Sequence, residues 1–256
     1  MPQVLIARLR AELAAKEATV DALMKGFELP DLPVVDGLTF DVLYRPAEAL
    51  ERLGGDWYDI FTLLDGRIAF TIGDVCGRGL AAAVKMGQAK QAIKVAASLQ
   101  TNNPMPRAVL EQTNKVIFLN GHHVNFTTAI YGIIDMANRL VTYSSAGHPP
   151  PILAKAGVPA RVMPNHGFPL GVESDLPDLI REHEFTYEPG TLLVLYTDGL
   201  IESSHDLAEG EARLLRAARE AVEAHTPHPA KFIVESALRE APEHLDDVAV
   251  LTIFFE

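Results

Sequence analysis

Four aspartates stand beside apolar, strand-like runs at widely separated points of this chain. They are Asp56, Asp74, Asp198 and Asp246, and each adjoins a turn. A carboxylate at the end of a buried strand costs free energy unless it is paired or bound to a metal. Carboxylate oxygens gathered from distant segments are also the ligands that hard divalent cations prefer. The chain therefore needs a fold that brings several strand ends together, and this pattern favours an enzyme over a purely structural protein.

Each of these aspartates also has an ordinary structural explanation. Asp56 and Asp198 adjoin glycine turns, and Asp74 could cap the helix that is predicted to follow it. At the last strand, Asp246 and Asp247 are adjacent, so their side chains are expected to point to opposite faces. Only one of that pair is then expected to reach a shared site. Taken singly, the four segments leave both explanations open.

Other nucleophile motifs receive little support from the sequence. Cys76 is the only cysteine, so it cannot form an internal disulfide, which is typical of a reducing compartment. A cysteine phosphatase loop would need an arginine six residues later, where the chain has Ala82. His148 lies between glycine and proline and is interpreted as a turn histidine bonded to backbone. The chain has no His-Glu-x-x-His or Gly-x-Ser-x-Gly motif, which disfavours zinc and serine hydrolases.

Composition narrows the functional class further. The chain has 256 residues, of which 48% are hydrophobic and 22% charged, as in an ordinary globular protein. The formal net charge is −12 without a basic patch, which disfavours a nucleic-acid partner. No apolar run approaches the roughly 18 residues of a spanning helix, and the charged N-terminus is not a signal peptide. We therefore expect a cytoplasmic protein without membrane insertion.

The N-terminal segment has a pattern of its own. Residues 3–25 carry apolar residues at heptad positions, which predicts a helix. This helix could pack on its own domain, or it could pair two chains, and we expect a homodimer through it. Residues 29–37 contain two prolines and are expected to form a linker. The predicted organisation is an N-terminal helix over 1–28, this linker, and one domain over 38–256.

Within that domain, the runs with strand and helix periodicity are segregated rather than alternating. The predicted strands cover 38–44, 57–64, 67–72, 126–134, 139–144, 152–155, 161–163, 181–187, 191–196 and 248–255. The predicted helices cover 79–98, 106–119, 208–224 and 229–239. Asp65-Gly66, between the second and third strands, is a favoured hairpin turn. Segregated runs of this kind predict an α+β fold with antiparallel sheets.

Taken in order, the aspartate segments and their neighbours resemble the metal-dependent protein phosphatase (PPM, type 2C) superfamily. The closer resemblance is to its bacterial SpoIIE-type branch, which regulates sigma factors and sporulation. The matching segments are 44–47, 54–59, 73–82, 145–150, 169–171, 196–202 and 246–250. The resemblance covers roughly residues 38–256. It implies a PPM-type α-β-β-α sandwich, in which two packed antiparallel sheets are flanked by helices.

The resemblance also implies a site. By position, Asp56, Asp74, Asp198 and Asp246 correspond to the family's metal ligands, and the Val75 carbonyl corresponds to its backbone ligand. Two Mn²⁺ or Mg²⁺ ions would be bound there and would acidify a water. That water attacks phosphorus and expels the serine or threonine alkoxide. The four aspartates would thus be catalytic through the water.

The function implied is a phosphoserine/phosphothreonine protein phosphatase in signal transduction and sigma factor regulation. Its expected substrate is a phosphorylated STAS-domain anti-anti-sigma protein. Two features depart from the family pattern: the link over 47–53 is longer than usual, and no arginine is identifiable as a phosphate anchor, since Arg52 and Arg78 are most simply surface residues. The alternatives are an inactive pseudophosphatase that binds a regulatory partner, and a metal-dependent hydrolase of small phosphate esters.

Overall fold

Two five-stranded antiparallel sheets form the centre of the computed structural model within the residues that it describes. Those residues are 31–46, 54–100, 105–120, 126–176, 178–202, 206–239 and 246–256. The predicted helix over 3–25, the dimer contact assigned to it and the link over 47–53 lie outside them. Residues 31–37 of the predicted linker are described, and the Val35 backbone pairs with Leu38 at the start of the first strand.

Each sheet combines strands that are distant in sequence. The first sheet has the order β1 (Leu38–Arg45), β10 (Val248–Phe255), β9 (Thr191–Tyr196), β6 (Ile152–Lys155) and β7 (Val158–Val162). The second has the order β2 (Trp57–Thr62), β3 (Ile68–Val75), β4 (Thr127–Asp135), β5 (Leu140–Ala146) and β8 (Glu182–Thr186). The first sheet pairs the two ends of the domain, because β1 and β10 are adjacent in it.

Side-chain alternation explains why the two sheets pack face to face. Phe70 and Ile72 of β3 lie in one buried cluster with Leu193 and Leu195 of β9. Because successive side chains of a strand point to opposite faces, the intervening residues face the outer layers instead. Ala69 of β3, for example, belongs to the cluster beneath the first two helices. The central strands β3, β4, β9 and β10 are therefore buried on both faces, which accounts for their nearly continuous apolar sequences.

Helices cover the outer faces of both sheets. On the second sheet lie α1 (Gly79–Leu99) and α2 (Pro106–Leu119). On the first lie α3 (Gly199–Glu202), α4 (Leu207–Glu223) and α5 (Pro229–Ala237). Among the helices that the structure describes, none is both long and apolar enough to cross a lipid bilayer. The predicted α+β fold and its α-β-β-α layering are confirmed.

The boundaries differ from the prediction at three places that matter. β3 extends to Val75 instead of ending at Ile72, because its pairing with β4 continues to Val75 opposite Thr127. Asp74 is therefore part of the strand and is fixed by the sheet. β7 begins at Val158, three residues before the predicted start, since Val158 pairs with Lys155. The short helix α3, directly after Asp198, was not predicted.

Candidate metal centre

Asp56 and Asp74 lie beside each other at one end of the second sheet. Asp56 directly precedes β2, and Asp74 is the penultimate residue of the neighbouring β3. The Asp56 side chain is 2% exposed, and its Oδ2 accepts a hydrogen bond of 2.7 Å from Thr197 Oγ1. Thr197 follows β9, so this hydrogen bond joins the two sheets. The site therefore depends on the packing of one sheet on the other.

The charges of these two aspartates are poorly compensated. Burial, and then repulsion from Asp74, raise the pKa of Asp56 well above its ordinary value, while the Thr197 hydrogen bond opposes the shift. Burial, and then repulsion from Asp198, raise the pKa of Asp74 to about 7. Perturbed carboxyl groups of this kind cluster at functional sites more often than elsewhere. At neutral pH the two carboxyl groups are therefore expected either to retain a proton or to bind a cation.

Asp198 and Asp246 form the other side of the cluster. Asp198 lies between β9 and α3, and burial, followed by repulsion from Asp246, raises its pKa. Gly199 makes this approach possible, because a Cβ there would be 2.1 Å from the Asp247 carbonyl oxygen. Glu202 of α3 also faces the cluster, since burial, Asp198 and Asp246 raise its pKa. All four predicted aspartates therefore interact electrostatically in one place.

The Val75 carbonyl lies beside the same carboxylates. A Cβ added to Gly55 would be 2.4 Å from the Val75 carbonyl oxygen and 2.8 Å from Asp74 Oδ1. Only a glycine lets the chain before Asp56 come so close to the end of β3. A carbonyl oxygen and a carboxylate oxygen therefore face the same glycine turn. The structure thus brings together the two oxygen atoms at positions 74 and 75 whose role as ligands stays a prediction.

Asp247 also reaches the cluster, contrary to the expectation that only one of the adjacent carboxylates would do so. Its Oδ2 accepts a hydrogen bond of 3.1 Å from the Gly55 N–H, and its charge contributes to raising the pKa values of Asp56 and Asp74. Strand alternation does not apply here, because β10 begins only at Val248. Asp247 and Glu202 are thus site residues that periodicity alone could not identify.

The donor set fits a hard divalent cation. The side chains of the cluster are carboxylates, which Mg²⁺ and Mn²⁺ prefer together with carbonyl oxygen and water. Among the described residues, no group of three or more His, Cys, Asp or Glu side chains is arranged so that it could hold a metal ion as it stands. The carboxylates would therefore have to move closer together to share a cation. Arg78 Nη2 lies 3.9 Å from Asp246 Oδ2, on a side chain that is 66% exposed.

His148 has a structural role, as the turn interpretation predicted. Its ring is buried, its Nδ1 lies 2.9 Å from Thr128 Oγ1, and burial lowers its pKa to about 3. Its carbonyl accepts a hydrogen bond of 2.6 Å from Asn165 Nδ2. A neutral, enclosed imidazole of this kind stabilises the loop after β5. Cys76 is half-buried in the loop before α1, as expected for a small turn residue.

Comparison with known proteins gives a consistent family. The model of the family described as Stage II sporulation protein E (SpoIIE) matches residues 64–256. Protein IcfG of Synechocystis sp. is 27% identical over an alignment 220 residues long, which covers 72% of this chain and 32% of that protein. Phosphoserine phosphatase RsbU of Bacillus subtilis is 28% identical over 172 residues, which are 67% of this chain and 49% of that protein.

A solved structure agrees with the observed architecture. The crystal structure of the RsbU and RsbW domains of Rv1364c from Mycobacterium tuberculosis superimposes with a TM-score of 0.77 at 27% identity. The superposition covers 90% of this chain and 63% of that one. The chain thus spans about a third of IcfG and about half of RsbU. The similarity concerns the domain described above, within longer relatives.

Proposed function

The chain belongs to the stage II sporulation protein E (SpoIIE) family, and we propose that it is a metal-dependent phosphoserine/phosphothreonine protein phosphatase. The observation that carries this proposal is the buried carboxylate cluster, in which burial and mutual repulsion raise the pKa values of Asp56, Asp74 and Asp198. Such a cluster is unfavourable without a cation and suited to one. The similarity to a protein named phosphoserine phosphatase RsbU supports the same reaction.

In this proposal, two Mn²⁺ or Mg²⁺ ions are held by Asp56, Asp74, the Val75 carbonyl, Asp198 and Asp246. When bound, they supply Lewis acidity at neutral pH and neutralise the charge of a phosphoryl group. The protein's own contribution is to present deprotonated oxygens in a fixed arrangement. Asp56 and Asp74 would have to lose their protons to hold these ions, because a carboxylate must be ionised to act as a ligand.

Thr197 and Ala249 orient the Asp56 carboxylate in that arrangement. The Thr197 hydroxyl donates a hydrogen bond to Asp56 Oδ2, which fixes the position of that oxygen. This hydrogen bond lowers the pKa of the Asp56 carboxyl group and so opposes the effect of burial. Thr197 Oγ1 in turn accepts the Ala249 N–H at 2.8 Å, so its rotamer is tied to β10. The Asp56 carboxylate is thereby oriented before any ligand arrives, which reduces the free energy lost on ordering.

The proposed substrate is a phosphorylated STAS-domain anti-anti-sigma protein. The resemblance to the SpoIIE-type branch motivates this choice, and the similarity to the RsbU and RsbW domains is compatible with it. We also propose that residues 38–256 are the phosphatase domain and that the N-terminal helix, through residues 3–25, pairs two chains in the cytoplasm. Light scattering on the full chain should then give a dimer mass, and deletion of 1–28 should give a monomer. A monomeric full chain would contradict the pairing.

Phosphate release from purified phospho-STAS proteins tests the proposed reaction. We expect turnover with Mn²⁺ or Mg²⁺, loss of turnover with a chelator, and loss in Asp198→Asn. The matched control is Asp135→Asn, which changes a carboxylate at the opposite end of the second sheet and should keep wild-type turnover. Hydrolysis that persists in chelator would contradict the metal requirement. Stable capture of the phosphoprotein without turnover would instead indicate a pseudophosphatase.

A further inference from the structure

The Gly54-Gly55 turn is held from three sides. The Gly54 N–H donates a hydrogen bond of 2.8 Å to the Tyr44 hydroxyl, which comes from β1. The Gly55 N–H donates to Asp247 Oδ2 at 3.1 Å, just before β10. The Gly55 carbonyl accepts the Val75 N–H at 3.2 Å, at the end of β3. Elements of both sheets therefore bind three consecutive peptide groups of this turn.

Close contacts accompany these hydrogen bonds. A Cβ added to Gly54 would lie 1.4 Å from Asp247 Oδ2, so the Asp247 carboxylate fills the space that a side chain at position 54 would need. The same Asp247 Oδ2 accepts the hydrogen bond from the Gly55 N–H. The carboxylate and the turn are thus complementary in shape as well as in charge.

The turn leads directly into Asp56, which must stay close to Asp74 in spite of their mutual repulsion. Where no cation compensates their charges, that repulsion grows as the pH rises and the two carboxyl groups ionise. Without restraint, the simplest relief would be for the turn to move away from β3. The Tyr44 and Asp247 contacts oppose that movement, because each fixes a peptide group within two residues of Asp56.

We infer that Tyr44 and Asp247 are positioning residues that keep Asp56 beside Asp74 before metal binds. In this role Asp247 acts as a hydrogen-bond acceptor to the turn and not as a metal ligand. An acceptor needs an oxygen atom of the right shape, which asparagine also provides, whereas a ligand needs the negative charge. Exchange of Asp247 for asparagine or alanine therefore separates the two roles. The link to metal rests on the proposed function, but the restraint on the turn does not.

The fluorescence of Trp57 reports the position of the turn, and its measurement needs neither metal nor substrate. Trp57 is the only tryptophan of the chain, is fully buried, and directly follows Asp56. Its ring packs on the strand that carries Asp74, since a Cβ on Gly73 would be 2.1 Å from Trp57 Cη2. Movement of the turn away from β3 would therefore expose the indole ring. Acrylamide quenching of its fluorescence measures that exposure.

In the metal-free protein we expect Asp247→Ala and Tyr44→Phe to raise the quenching constant about twofold or more, as local opening of the turn increases. Asp247→Asn should stay at the wild-type value, because it keeps the acceptor. Tyr187→Phe is the matched tyrosine control, since Tyr187 stacks on Phe255 in the core between the sheets. Wild-type quenching in both Asp247→Ala and Tyr44→Phe would overturn the inference. Tyr44→Phe keeps the ring, so the test survives if Asp247→Ala does not fold.

Calorimetric Mn²⁺ binding by the same variants completes the experiment. Loss of a supporting residue typically weakens metal binding about 10- to 100-fold, which we expect for Asp247→Ala and Tyr44→Phe but not for Asp247→Asn. Equal losses in Asp247→Asn and Asp247→Ala would mean that the charge of Asp247, and not its acceptor oxygen, supports metal binding, which would overturn its assignment as an acceptor. If the wild-type chain binds no Mn²⁺, the proposed function fails, whereas the quenching data still decide whether the turn is restrained.

Discussion

The two ends of β9 and β10 carry opposite kinds of side chain. At one end, Asp198 follows β9 and Asp246 precedes β10, and their charges repel each other. At the other end, the ladder continues to Thr191 opposite Phe255, and the Gly190 N–H donates to the Phe255 carbonyl at 2.7 Å. That far end borders an apolar cavity of about 360 Å³, lined in part by Leu192. Because the two strands are antiparallel, β9 runs from the apolar end to the carboxylates and β10 runs from the carboxylates to the apolar end.

This difference indicates where the fold obtains its stability and where it gives some of it up. The far end buries apolar surface and satisfies its backbone, which stabilises the folded state. The acidic end concentrates like charges in a partly buried place, which destabilises the metal-free protein. Proteins commonly accept such local destabilisation at functional sites, because the strained groups are what bind the ligand. Substitutions at the two ends should therefore have opposite effects.

The largest effect is expected from Asp74→Asn at the acidic end. If the carboxylates bind the catalytic ions, phosphatase activity should fall roughly 1,000-fold or more, since the metals supply several kcal/mol of transition-state stabilisation. The melting temperature of the metal-free variant should nevertheless rise, because one buried, repelled charge is removed. Phosphate release and calorimetric melting measure the two effects. Loss of activity together with a lower melting temperature would contradict this account of the acidic end.

The next effect is expected from Leu192→Ala at the far end. Leu192 of β9 is 1% exposed, and its side chain packs against the helices that cover the first sheet. Truncation of a buried leucine costs about 2–5 kcal/mol of unfolding free energy. Activity per folded molecule should stay at the wild-type level, which denaturant unfolding and a phosphatase assay check together. A loss of activity without a loss of stability would mean that the two ends are coupled.

A pair of glycine substitutions should give a smaller effect. Gly55→Ala brings a Cβ to 2.4 Å from the Val75 carbonyl oxygen, so the turn before Asp56 must move. We expect about 10- to 100-fold weaker metal binding, as when support for a ligand is lost. Gly190→Ala has open space around its Cβ but a φ of +82°, and should cost only about 1–2 kcal/mol of stability. Metal affinity unchanged in Gly55→Ala would show that the turn tolerates displacement.

The smallest effect is expected in the pH dependence of metal-free stability. The pKa of Asp74 rises on folding from 3.8 to about 7, so the folded state binds more protons than the unfolded state between these values. Stability is therefore lost as pH rises through that range. The excess melting temperature of Asp74→Asn over wild type should grow from pH 4 to pH 8, by about 3 °C or more. Acidification also destabilises the fold through His148, but it does so equally in Asp74→Asn and in the wild type. The difference between their melting temperatures is therefore unaffected by His148. A constant difference across this range would contradict the shifted pKa.

The sequence predicts the aspartates of the site better than the residues that hold them in position. Asp74 and Asp198 stand next to long apolar runs and glycines, and such local patterns identify strand ends. Tyr44 and Asp247 escape this reasoning, because their roles come from contacts with the Gly54-Gly55 turn, which for Asp247 spans 192 residues of sequence. The family resemblance supplies what local patterns lack, namely the expectation that the four aspartates form one site. The pairing assigned to residues 3–25 stays a prediction.

Calorimetric titration of Mn²⁺ into the metal-free chain near pH 7.5 tests the central claim most directly, with Asp74→Asn and Asp135→Asn titrated beside it. We predict saturable binding of two ions by the wild-type chain and by Asp135→Asn, with proton release that varies with the ionisation enthalpy of the buffer. Asp74→Asn should lose this binding. Absence of saturable binding in the wild-type chain, or the same binding in Asp74→Asn, would contradict the assignment of the acidic end as a metal centre.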